Sequence, residues 1–204
     1  ATPIGVFLAL GLARWRGRGS GASNFLMLFP LVTPEIVAGV SLLILFSQLL
    51  RFVPFGTVAQ LLGHITFSIS YVVVIVRGRL FSIGPSYEEA AAVRGPAPAS
   101  ALYRVLLPLL MPAIVASAAI VFAISIDDFV ISQWLSSGAN STTVPVAIYA
   151  ATRATPQPST DGIATVIMLI TLLSVVAGVL VYRFFTRGES GRGSAVDDVA
   201  GLGI

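Results

Sequence analysis

Residues 105–128 read VLLPLLMPAIVASAAIVFAISIDD. From Val105 to Ile126 no residue is charged, and a helix crosses a bilayer with about 20 consecutive apolar residues. The run then stops on two adjacent carboxylates, Asp127 and Asp128. Acids beside hydrocarbon are costly and ordinarily face a cavity or a partner. The first feature decides the fold class, and the second poses the functional question.

The rest of the chain agrees with a membrane-embedded protein. Of its 204 residues, 56% are hydrophobic and only 10% are charged, against about 25% charged in soluble domains; the mean hydropathy is +0.93. Cysteine is absent, so neither a disulfide framework nor a thiolate metal site is possible. All 12 basic residues are arginine, which excludes a Walker A loop with its Gly-Lys pair. If nucleotide energy drives this protein, another chain hydrolyses the nucleotide. A single histidine, His64, excludes HExxH and every multi-histidine metal site; we read it as a satisfied polar residue near the start of its helix. The arginines are scattered between apolar segments, so the basic balance does not mark a nucleic-acid surface.

Five apolar segments are visible, at about 1–13, 25–50, 58–76, 105–126 and 163–185. Thirteen helical residues reach only about 20 Å, so the first is read as the tail of a longer span; it lacks the basic start and cleavage site of a signal peptide. Pro30 and Pro34 lie inside the second, where a kinked or broken helix is expected. With alternating segments, Arg14, Arg16, Arg18, Arg77, Arg79, Arg94, Arg104, Arg183, Arg187 and Arg192 fall on one side, and only Arg51 and Arg153 on the other. The positive-inside rule makes the ten-arginine side cytoplasmic. Trp15 and Trp134 fall near the expected interfaces. The external loop 136–162 carries a short apolar piece, VPVAIYAA, and Thr160 or Asp161 is expected to cap the next helix. The permease domain is taken as 1–187, followed by a polar, Gly-rich cytoplasmic tail, 188–204, expected to be poorly ordered.

The cytoplasmic connection contains SYEEAAAVRGPAPASALYRVLLP, residues 86–108. Ser86 is placed as an N-cap with Glu88 and Glu89 in the first turn. Gly95 and Pro96 then end the helix, and a second helix starts near Ala99. A short helix with exposed acids and small alanines suits docking into a groove on a partner.

Glu89, Ala90 and Ala91, then three residues to Gly95, nine more, and Val105-Leu106-Leu107-Pro108 resemble the EAA loop of ABC importer permeases, written EAA-x3-G-x9-I-x-L-P. Only Val105 departs from it. Ser125-Ile126-Asp127-Asp128-Phe129-Val130-Ile131, with LFPLVTPEIVAGVSLLILF at 28–46 and VPVAIYAATRATPQPSTDGIAT at 144–165, further resembles the second permease subunit of spermidine/putrescine importers. The resemblance implies an all-α integral membrane protein, a type I ABC importer permease bundle, with about five spans of an expected six and the first of them partial. It also implies a second permease subunit, an extracytoplasmic binding protein, and a cytoplasmic ATPase dimer that holds ATP and Mg²⁺ and docks on the loop through Glu88, Glu89, Ala90, Ala91, Gly95, Leu107 and Pro108. No cofactor is expected in this chain.

Polyamines are flexible chains of spaced ammonium groups, and a pathway for them wants carboxylates or aromatic faces of weak individual affinity. Glu35, Asp127, Asp128, Phe129 and Tyr149 are the candidates. On a straight helix Asp127 lies about 28 Å from Pro108, near the outer end of the span, whereas Glu35 lies about 16 Å from Asn24, near the midplane. Adjacent helical residues diverge by about 100°, so both aspartates cannot face one pore squarely. The rival reading has one of them capping the following segment or pairing with Arg153. Aromatic belt or core packing is the rival role for Phe129, Tyr149 and Trp134. Permeases for ferric iron, aminoethylphosphonate or opine-like compounds share the architecture, and a membrane scaffold without transport is the alternative of a different class.

Overall fold

A computed structural model describes residues 1–15, 17, 19–83, 102–154 and 158–186. Among these no strand occurs. The elements are α1 (Thr2–Arg14), α2 (Ser20–Val32), α3 (Glu35–Ile44), α4 (Thr57–Ile83), α5 (Leu107–Asp127), α6 (Val130–Leu135), α7 (Val144–Ala154) and α8 (Pro158–Thr186). A π turn, Leu45–Leu49, extends α3, and a second, Leu102–Leu106, leads into α5.

Among the described residues three helical stretches are each long and apolar enough to cross a membrane, Thr57–Ile83, Leu102–Asp127 and Pro158–Phe185, of 27, 26 and 28 residues, and the bent pair Ser20–Val32 and Glu35–Leu49 would make a fourth if it is one span. The fifth apolar segment of the sequence, 163–185, is thus longer than its hydropathy indicated. Helix α8 starts at Pro158, so Thr160 and Asp161 lie in its first turn instead of capping it. Proline is favoured there because its missing N–H would be unpaired anyway.

The segment expected over 25–50 is two helices bent by 108° at Thr33-Pro34. Pro30 is tolerated inside α2; the break comes at Pro34, with Thr33 in an extended conformation (φ −70°, ψ 129°), as the residue before proline prefers. The freed backbone is partly repaid by Thr33, whose N–H and hydroxyl both donate to the Phe29 carbonyl, at 3.0 and 2.8 Å.

Two apolar clusters hold the bundle. In the first, Val6, Ala9 and Leu10 of α1 meet Val72, Val73 and Val76 of α4, with Leu106 at the end of the second π turn and Leu110 at the start of α5. The second gathers Phe46, Val53, Ala59, Ile131 and Leu135, where α3 and α6 close over the start of α4. Helix α8 lies along α5, and a Cβ on Gly178 would stand 2.7 Å from the Ala119 Cβ. Small residues at such a seam let backbones approach closely. The rest of α8 presents exposed leucine, valine and phenylalanine side chains, among them Leu169, Leu173, Leu180 and Phe184, as a lipid-facing surface does.

Side-chain contacts fix which ends lie together. Arg77, near the C-terminal end of α4, donates from Nη1 to Asn24 Oδ1 of α2 at 2.6 Å, and Arg79 Nε donates to the Leu109 carbonyl of α5 at 3.4 Å. At the opposite end His64 of α4 meets the end of α5. His64 and Arg77 are 13 residues apart, about 20 Å of helix. Helix α2 covers that same height, since Asn24 sits at the arginine end and Glu35 interacts with Asp128 at the other. The chain therefore climbs on α2 and turns sideways on α3. This corrects the midplane placement of Glu35: straight-helix arithmetic fails at a 108° bend, and Glu35 opens α3 at the level of the paired aspartates.

Candidate functional site

The end of α5 separates the two aspartates. Asp127 is the last helical residue, and Asp128 follows in an extended conformation (φ −65°, ψ 121°). One carboxylate turns inward and the other outward.

Asp128 is 4% exposed. Its Oδ1 accepts from the N–H of Ile131 at 3.3 Å and its Oδ2 from the N–H of Ser132 at 2.9 Å, so it caps α6 and satisfies N–H groups that a short helix leaves unpaired. The same Oδ2 lies 3.2 Å from His64 Nε2. His64 Nδ1 is 2.7 Å from Ser125 Oγ, and Nε2 is also 3.2 Å from Ser132 Oγ. With the Nε2 proton facing the carboxylate, Nδ1 accepts from the Ser125 hydroxyl. One turn earlier on α4, Gln60 Nε2 donates to the carbonyls of Ser132 and Ser141, each at 2.9 Å. Gly56, just before α4, completes the junction: its N–H donates to the Leu135 carbonyl at 2.8 Å. Its φ is +100°, and a Cβ there would meet Ser137 Oγ at 2.6 Å, so only glycine suits the position.

Asp127 has a different setting. It is exposed and, among the described residues, makes no hydrogen bond or ion pair. It lines a cavity of about 700 Å³ between α7 and α8, together with Phe129, Tyr149, Thr152, Met168 and Thr171. Known ligand pockets run from about 300 to 1,000 Å³ and are mostly apolar with a few placed polar groups. The Phe129 and Tyr149 rings are 4.7 Å apart between centroids. The Arg153 guanidinium stands 4.8 Å from the Tyr149 centroid, so that ring already receives a cation. Arg153 forms no ion pair among the described residues.

The candidates thus fall into groups. Asp127, Phe129 and Tyr149 share one cavity. Asp128 belongs to the buried junction, and Glu35, exposed at the start of α3, interacts with Asp128, Asp127 and His64. Trp134 rests on α3, where a Cβ on Gly39 would lie 2.8 Å from its ring, and stays 41% exposed. Leu107 and Pro108 open α5. Glu88, Glu89, Ala90, Ala91 and Gly95, and the tail 188–204, lie outside the described residues. Sequence reading missed Gln60, Ser125, Ser132 and Ser141. A signal existed for the first: Gln60 and His64 are polar residues four apart in an apolar run, hence on one helix face.

The carboxylate, the aromatic rings and the surrounding apolar wall can together receive a cation with aliphatic parts. Among the described residues no group of three or more histidine, aspartate or glutamate side chains is arranged to hold a metal ion.

Comparison with known proteins gives the chain its setting. Residues 1–190 match the family model described as binding-protein-dependent transport system inner membrane component. The chain is 34% identical over 191 residues to the spermidine/putrescine transport system permease protein PotC of Escherichia coli (strain K12), covering 94% of this chain and 71% of that protein. It is 35% identical over 173 residues to the putrescine transport system permease protein PotI of the same strain, covering 82% of this chain and 61% of PotI. The molybdenum transport system permease protein ModB of Mycobacterium bovis is 34% identical over 200 residues, covering 92% and 73%. With a family match over nearly its whole length and the spans and bundle that such a component needs, the chain belongs to the inner membrane permease components of binding-protein-dependent transport systems.

Proposed function

We propose that this permease forms part of the translocation pathway of an ATP-driven polyamine importer, with Asp127 as a cargo contact. The observation that carries the reading is the state of Asp127: a carboxylate without a partner among the described residues, at the outer end of an apolar span, sharing a cavity with Tyr149 and Phe129. An unpaired acid in that place is costly unless it meets a cation, and aromatic faces add weak cation binding. Weak sites in series let a polycation enter and leave. PotC and PotI carry spermidine and putrescine in their names, which supports the cargo class.

The chain works with a second, similar permease subunit, and an extracytoplasmic binding protein delivers the cargo. A cytoplasmic ATPase dimer holds ATP and Mg²⁺ and engages the loop 86–108 through Glu88, Glu89, Ala90, Ala91 and Gly95. The loop and the C-terminus face the cytoplasm. Motion of the docked loop passes through the π turn at Leu102–Leu106 to Leu107, Pro108 and α5, which carries Asp127 at its far end. The spans then exchange inward and outward access as rigid bodies. This chain makes and breaks no covalent bond and needs no cofactor of its own.

Similarity to ModB favours a second reading, the same architecture with a molybdenum cargo. For an anionic cargo arginine is the expected contact, whereas three of the four described acids gather at the outer end. Asp127→Asn separates the readings. Uptake of radiolabelled spermidine or putrescine by the assembled transporter should fall about tenfold or more, in line with the loss of one charge-assisted contact, with assembly retained. Unchanged uptake kinetics would remove Asp127 from the pathway.

A further inference from the structure

The wall of the α7–α8 cavity holds one polar side chain whose bonding is out of pattern. Hydroxyls within apolar helices ordinarily bond back to a carbonyl three or four residues earlier. Thr165 Oγ1 does so to Asp161 at 2.8 Å, Thr66 Oγ1 to Leu62 at 2.8 Å and Ser174 Oγ to Thr171 at 2.8 Å. Thr171 Oγ1 does not: it is buried without a hydrogen-bond partner. Leaving a buried hydroxyl unpaired costs stability. Thr171 also lines the cavity that contains Asp127 and Tyr149. It lies on one face of α8 with Ala164, Ile167, Met168 and Leu172, at the helical spacing of three and four residues. Thr171 lines the cavity, and one step between staggered χ1 rotamers swings its hydroxyl by about 120° and turns the oxygen toward that space. Along α8, Thr171 is two turns beyond Ala164, about 10 Å.

We infer that Thr171 is the second polar contact for an aliphatic diamine or polyamine in this cavity. One ammonium sits at Asp127 beside the Phe129 ring, since Arg153 already occupies the Tyr149 ring. An unbranched methylene run lies against Ile167 and Met168, and the next ammonium donates to Thr171 Oγ1. The cavity thereby distinguishes a chain with amines at both ends from one with a single amine. This deepens the reading of Asp127 as a cargo contact and rests on it.

The test measures binding of 1,6-diaminohexane and of n-hexylamine, equal in carbon chain, to the assembled permease–ATPase complex in nanodiscs without the soluble receptor. Thr171→Val keeps the shape and removes the hydroxyl, and should weaken the diamine about three- to tenfold, the worth of one hydrogen bond. Hexylamine binding should not change, and Thr171→Ser should bind the diamine as the natural protein does. Asp127→Asn should weaken both amines. If Thr171→Val binds both as before, or weakens both equally, while Asp127→Asn weakens both, the role of Thr171 is overturned and that of Asp127 survives. If Asp127→Asn leaves both unchanged, the Asp127 reading fails and takes this inference with it.

Discussion

Asp127 and Asp128 are chemically identical neighbours with opposite surroundings, and the difference comes from where a helix ends. Had α5 continued by one residue, both carboxylates would project from one cylinder about 100° apart. Because Asp128 is extended, it reaches back to the Ile131 and Ser132 N–H groups and to His64, while Asp127 stays in the cavity. Their substitutions should therefore separate. Asp128→Ala removes the cap of α6 and strips a partner from a half-buried imidazole, which should destabilise the protein by about 2–4 kcal/mol. The expected result is a clearly lower unfolding temperature in detergent and reduced recovery of assembled transporter. Asp128→Asn should lose less, since asparagine also caps. Asp127→Asn should leave the unfolding temperature within error and change only uptake; equal destabilisation by both alanine and asparagine changes at the two positions would show that the carboxylates share one structural role.

At the level of elements, two local devices shape the bundle. The Thr33-Pro34 break redirects the chain by 108°, so that α2 covers the height of the bundle and α3 runs across its carboxylate-bearing end against α6. The α5–α8 seam is the second. Gly178 faces Ala119 and Ala116 of α5, leaving room for no side chain. Gly178→Leu must push α8 away from α5 and should cost about 1–3 kcal/mol by overpacking. Because α8 carries one wall of the cavity and α5 carries Asp127, the same change should also weaken amine binding. Parallel measurements of unfolding temperature and diamine affinity check this; an unaltered affinity with lowered stability would place the cavity's geometry under the control of α7 alone.

For the whole molecule, charge among the described residues is unevenly spread along the bundle. Glu35, Asp127 and Asp128 meet at one end, with Asp161 opening α8 and Arg51 and Arg153 on the same side, and Arg77, Arg79 and Arg104 lie toward the other. The positive-inside rule predicts that the arginine end faces the cytoplasm, and under the proposed function the carboxylates then lie on the side from which cargo is delivered. The absence of cysteine makes this directly measurable. Ser137 and Tyr103 are both exposed and stand at opposite ends of the bundle. In intact spheroplasts a membrane-impermeant maleimide should label Ser137→Cys, and should label Tyr103→Cys only after permeabilisation. The reverse pattern would invert the orientation and with it the proposed direction of coupling.

Much of this protein was legible without coordinates. Hydropathy is a local property summed over about 20 residues, so 105–126 and its companions announced an all-helical membrane protein. Charge asymmetry between loops predicted its orientation, and fixed spacings from Glu89 to Pro108 carried the family resemblance that the comparisons later bore out. Local chemistry also marked Pro30 and Pro34 as a place for a kink or break, and named Glu35, Asp127, Asp128, Phe129 and Tyr149 as candidates without telling which of them share a cavity. Direction in space was another matter. Where the break sends the chain, which aspartate turns inward, and that Gln60 and His64 of α4 bind groups more than 60 residues away depend on how helices meet. Those contacts are set by shape and by the need to pair buried polar groups across elements, and a one-dimensional pattern does not contain them.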